Sequence, residues 1–157
     1  MDLRTLVMAA ACAAMLTGCG SSKDKAEELI KTTGLTEQYG VIVDIASSAY
    51  ANQYPMLGRE QIRNVVRQNL PQDALKDAMV EVYADHFDDD ELDLMIRANQ
   101  HPEQAMAIIL GSKDGRELAL KVVEVQKTMM QDMQDAMSDN DEAIVDALDD
   151  LKDQAEG

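Results

Sequence analysis

From residue 24 to residue 155, apolar side chains recur at every third or fourth position, and no stretch alternates apolar with polar between turn residues. Spacing of three and four gathers apolar groups on one side of a helix, whereas a half-buried strand needs a period of two. The expectation is therefore an all-α fold, a single compact bundle of about six to eight short amphipathic helices. The first helix spans Asp24 to Thr33, presents Ala26, Leu29 and Ile30, and has Gly34 at its C′ position. The second runs from Glu37 to Tyr54 with Ile42, Ile45, Ala46, Ala49 and Tyr50 on its inner face, and Pro55 ends it. Arg59 to Asn69 follows with Ile62, Val65 and Val66; Pro71 then opens a fourth helix at N1, carrying Leu75, Ala78, Met79, Val82 and Tyr83 towards Phe87.

Asp88 is a natural N-cap, and Glu91 three residues on completes a capping box for a fifth helix with Leu92, Met95 and Ile96. The segment Glu103 to Leu110, opened by Pro102, is apolar on nearly every side, which places it in the interior. Gly111 to Gly115 reads as a turn. A long helix, Arg116 to Met137, carries the stripe Leu118, Val122, Val125, Met129, Met133 and Ala136. The last helix, Asp141 to Ala155, sets Ile144, Ala147, Leu148 and Leu151 against an acidic opposite face. Hydrophobic residues make up 46% of the 157, enough for one real core and against disorder, and no repeat or linker marks a second domain.

Ahead of this body stands an address. Arg4 is followed by an apolar run from Leu6 to Leu16, too short to cross a bilayer, which takes roughly 20 apolar residues, but suited to a signal peptide. The run ends in Leu16-Thr17-Gly18-Cys19, which resembles a bacterial lipobox. The resemblance implies a lipoprotein signal peptide over residues 1–18 and a lipidated Cys19. A short tether over 19–23 would then lead into the helical domain at 24–157. Cys12 would leave with the signal peptide, so the processed chain would hold no disulfide and no Cys metal site. A diacylglyceryl group supplies the two chains that stable anchoring needs. Gly20 after the Cys, by resemblance to Gram-negative lipoproteins, implies the outer membrane, facing the periplasm.

Residues 75–137 resemble a bacterial envelope family catalogued as domain of unknown function 2059. The residues that carry the resemblance are Tyr83 and Phe87 at a helix end, the cap Asp88, and Glu91-Leu92. A turn follows that matches either His101-Pro102-Glu103-Gln104 or Ser112-Lys113-Asp114-Gly115. The resemblance implies an all-helical envelope protein and brings no catalytic residues with it.

Four constellations could carry chemistry. The acids Asp85, Asp88, Asp89, Asp90, Glu91 and Asp93 offer oxygen ligands to Ca²⁺ or Mg²⁺, but they lack EF-hand spacing, and the start of a helix explains them through its dipole. His86 and His101 are the only histidines, and no serine or cysteine nucleophile stands in a motif to use either; both read as structural or surface groups. Met129, Met130, Met133 and Met137 could bind Cu(I) through soft thioethers, could line a peptide groove, or could pack in the core; they continue an aliphatic stripe, so packing comes first. Residues 131–157 hold ten acids and one Lys, a net −9 of the chain's −16. This acidic terminal helix is either a solvated outer face or a dock for a cationic partner, and an anionic membrane should repel it.

With −16 overall, nucleic acid is excluded as a partner. The expectation is a membrane-anchored envelope lipoprotein, not an enzyme, with no cofactor and no assigned metal site. Its body would be an interaction or chaperone-like module with an envelope protein or a second copy as partner. The alternative is a metal-handling protein, with a divalent cation at the acidic cluster or Cu(I) at the methionines.

Overall fold

A computed structural model describes residues 18–156. All of the expected signal peptide but its last residue lies outside them, as does the side chain of Cys19. Among the described residues the fold is all-α, with nine helices and no strand: α1 Gly18–Thr32, α2 Leu35–Gln53, α3 Arg59–Asn69, α4 Gln72–His86, α5 Asp89–Gln100, α6 Ala105–Leu110, α7 Lys113–Val125, α8 Met129–Ala136 and α9 Ser138–Glu156. None of these helices is long and apolar enough to cross a membrane.

Two apolar clusters hold the bundle. One gathers Ile30 of α1, Val43 of α2, Ile62 and Val66 of α3, Leu75 of α4, and Ile144 and Leu148 of α9. The other gathers Ala26 and Leu29 of α1, Phe87, Leu92 and Ile96 around α5, and Leu118 and Val125 of α7. α1 feeds both, and Val80 and Tyr83 of α4 pack against both, so these two helices join the halves. Ala26 is fully buried where α1 passes α4 and α5; its small side chain allows the close approach.

Several helix ends follow the sequence. Gly34 takes the left-handed conformation, φ 71°, between α1 and α2, a conformation that costs glycine nothing. Asp88 Oδ1 accepts from the Glu91 N–H at 2.9 Å while the Asp88 N–H donates to Glu91 Oε2 at 2.9 Å, a complete capping box. Pro71 sits one residue earlier than expected: extended at φ −66°, ψ 153°, it caps α4 from outside.

Other expectations are overturned. The stretch read as a tether continues α1, which begins at Gly18, and Ser22 Oγ donates to Asp89 Oδ1 at 2.6 Å on the first turn of α5. The inner face of α2 is rotated: Val43 is fully buried, Ile45 is 67% exposed and Ala49 also faces out. Rotation becomes possible because Ser47, on the buried side, returns its hydroxyl to the Val43 carbonyl at 2.6 Å and so leaves no unsatisfied polar group.

The segment before Gly111 is not interior. α6 has six residues and buries none of them fully; Met106 and Leu110 face solvent while Ile108 and Ile109 lean on the second cluster. Gly115 is not a turn residue either. Ser112 caps α7 by accepting from the Gly115 N–H at 3.0 Å, and Gly115 is buried against the Ile109 carbonyl. The long helix expected from Arg116 to Met137 breaks at 126–128, where the Lys127 and Thr128 N–H groups reach back three residues, both at 3.1 Å. The tightened turn redirects the stripe: Leu118 and Val125 enter the second cluster, Met133 and Met137 pack on the first, and Ala136 is left exposed.

Candidate functional site

The methionines line a groove. α8 and the first turns of α9 form one wall with Met129, Met130, Met133, Met137, Ile144 and Val145; α2 forms the other with Ile42, Ala46 and Tyr50; Leu70, at the end of α3, lies between them. The cavity volume is about 1060 Å³, and none of its described lining residues comes from α1. Met130 is 75% exposed, whereas Met133 and Met137 are half-buried and rest on the first apolar cluster. Both readings of the methionines therefore apply to different members of the set, because one helix turns part of its stripe inward and part along the opening.

Tyrosines tie the groove walls together. Tyr50 Oη donates to the Asp141 carboxylate from α2 to α9, Tyr54 Oη donates to Asp149 Oδ1 at 3.0 Å, and Tyr39 Oη donates to the Leu70 carbonyl at 2.8 Å. Burial, followed by the adjacent carboxylate, holds the Tyr50 and Tyr54 phenols above their ordinary range, so both are protonated donors at any physiological pH. Asn140 Nδ2 donates to the Asn69 carbonyl at 2.7 Å and fixes the start of α9 to the end of α3. These tyrosine contacts escaped the sequence reading. The signal was Tyr50 on α2 and Tyr54 at its C-cap, one turn apart and facing a helix rich in Asp.

Most carboxylates of the expected cation cluster are engaged separately. Asp88 is the cap, Asp89 accepts from Ser22, Glu91 meets Lys121 Nζ at 2.5 Å, and Asp93 pairs with Lys25. Lys121 also lies over the Phe87 ring, 5.4 Å from its centroid. The hydrogen bond to Asp93 is the first reason the Lys25 ammonium is held above the usual lysine range. Asp90 and Asp93 border a cleft of about 1000 Å³ with Glu28, Asp114 and Glu117, and Arg97 also lines it. Among the described residues, no three His, Cys, Asp or Glu side chains converge as metal ligands would.

The two histidines part company. His86 Nε2 donates to Asp132 Oδ2 at 2.8 Å and links α4 to α8. That bond, ahead of one from Thr128, holds the Asp132 carboxyl below the usual range. His101 is exposed, 3.8 Å from Glu103. Of the terminal acids, Asp141 and Asp149 face α2, and Asp141 and Glu142 stand at the groove. In comparisons with known proteins, no family model matches the chain, and no curated protein and no solved structure is significantly similar to it.

Proposed function

We propose that this chain is a lipid-anchored envelope protein, held in the membrane through Cys19, whose helical body is a non-enzymatic binding module for an apolar polypeptide segment. The observation that carries this reading is the methionine groove. Thioether side chains adapt to partners of varied shape, and a cleft between helices is how helical proteins take up an amphipathic helix. At about 1060 Å³ the groove is just larger than the roughly 300–1,000 Å³ typical of small-molecule pockets, and Met130 on α8 is exposed at it. None of the described lining residues belongs to α1, the helix that would carry the anchor, so anchoring leaves those walls unchanged. The likeness of residues 75–137 to an envelope family belongs to the same proposal.

The test uses the lipidated full chain in phosphatidylcholine nanodiscs and a fluorescent, uncharged amphipathic helix of Leu and Gln, read by anisotropy against empty nanodiscs. Saturable binding is expected, weakened about five- to tenfold by Met130→Gln, which removes apolar contact from an exposed position without disturbing the core. Absence of saturable binding, or indifference to Met130→Gln, overturns the reading.

A metal-handling reading draws on the same four methionines, since all of them line one groove. Cu(I) would need the thioethers together and uncovered, whereas Met133 and Met137 lean on aliphatic core residues. An unfolding midpoint raised by Cu(I) would favour it over the binding module; an unchanged midpoint would remove it.

A further inference from the structure

The groove's rim selects a charge. Among the described residues that line it there is no Lys, Arg or His, and the carboxylates among them are Asp141 and Glu142, both exposed at the start of α9. Neither is ion-paired with a cation among the described residues; the one partner Asp141 shows is the Tyr50 hydroxyl, which carries no positive charge. The N-terminus of α9 brings about half a positive charge to this spot. Asp139, Asp141 and Glu142 together outweigh it, and residues 131–157 as a whole carry −9.

Resting on the binding-module reading, we propose that the groove's occupant is a cationic amphipathic helix of another polypeptide. Its apolar stripe lies on the methionines, and its flanking Lys or Arg side chains meet Asp141 and Glu142. A second copy of this chain fits poorly, because it would bring an equally acidic rim against the first. The chain's own residues 1–17 carry one Asp and one Arg and so offer no net positive charge. Anionic lipid is repelled for the same reason.

Three helices of about five turns each, built on one Leu stripe with Lys, Gln or Glu on the other face, separate the possibilities when titrated onto the lipidated full chain in phosphatidylcholine nanodiscs at low salt. The Lys helix is expected to bind about tenfold or more tighter than the Gln helix, with that advantage shrinking as salt rises. Glu142→Lys, at an exposed position, should weaken the Lys helix about three- to tenfold relative to the Gln helix and strengthen the Glu helix relative to it. Equal, salt-independent binding of Lys and Gln helices overturns the charge selection while leaving the binding module intact. If none of the three binds, both proposals fall. Dimers that Met130→Gln dissociates would put a second copy in the groove and overturn this inference.

Discussion

Gly115→Ala should destabilise the protein even though alanine is the better helix former. Gly115 lies in the first turn of α7, and a Cβ built on it would stand 2.0 Å from the Ile109 carbonyl oxygen and 2.7 Å from its carbon. Both atoms are backbone, so no rotamer change relieves the overlap; α6 and α7 must move apart. Forced insertion of this kind costs about 1–3 kcal/mol, against which the gain in helix propensity returns up to about 1. The net expectation is a loss of up to about 2 kcal/mol, or at most about 8 °C in midpoint for a chain of this size. Gly40→Ala is the matched control, since it also lies within a helix, α2, and nothing stands within 4 Å of its added Cβ. There the same methyl should stabilise by about 0.5–1 kcal/mol. Thermal unfolding followed by helical circular dichroism reads both. A midpoint for Gly115→Ala at or above that of the unsubstituted protein would refute the close packing of α6 on α7.

The capping box makes a second expectation. Asp88→Ala should cost about 1 kcal/mol in urea unfolding, because the Glu91 N–H loses its acceptor. Added Ca²⁺ should leave the midpoint where it was, since the surrounding carboxylates hold different partners. A third concerns acid. The Asp132 carboxyl is held low by His86, so its contribution is complete above the ordinary carboxylate range and is lost as pH falls through the depressed value. Asp132→Asn should therefore flatten the acid side of the midpoint-against-pH curve, and parallel curves for the two proteins would count against the link between α4 and α8.

Legibility in the sequence followed the range of the interaction. Helix starts and stops rest on contacts three or four residues apart, so Gly34, Asp88 and Glu91 could be read directly, and Leu92, Ile144 and Leu148 proved as buried as their spacing implies. The face of α2 was misread because two stripes compete on it. Ile45 with Ala49 and Val43 with Ser47 are both at helical spacing, and the apolar alternative looks better until Ser47 satisfies itself on its own backbone. α6 was misread because uniform apolarity gives no direction, and six residues can expose one side at tolerable cost. The groove was legible only in part: the four methionines were visible as a set, but the wall opposite them comes from α2, more than 70 residues away in the chain.

The sequence alone determined that the described chain is helical, where α3, α4 and α5 begin to within a residue, and that its negative charge concentrates in the last helix. Tertiary structure decided the break at 126–128, which no proline or turn glycine announces. The stripe from Leu118 to Met137 has to serve two apolar clusters that lie in different directions, and a straight helix can present only one face to one of them. Local propensity cannot express that requirement, because it depends on where α1, α4 and α9 have already placed the apolar surface to be covered.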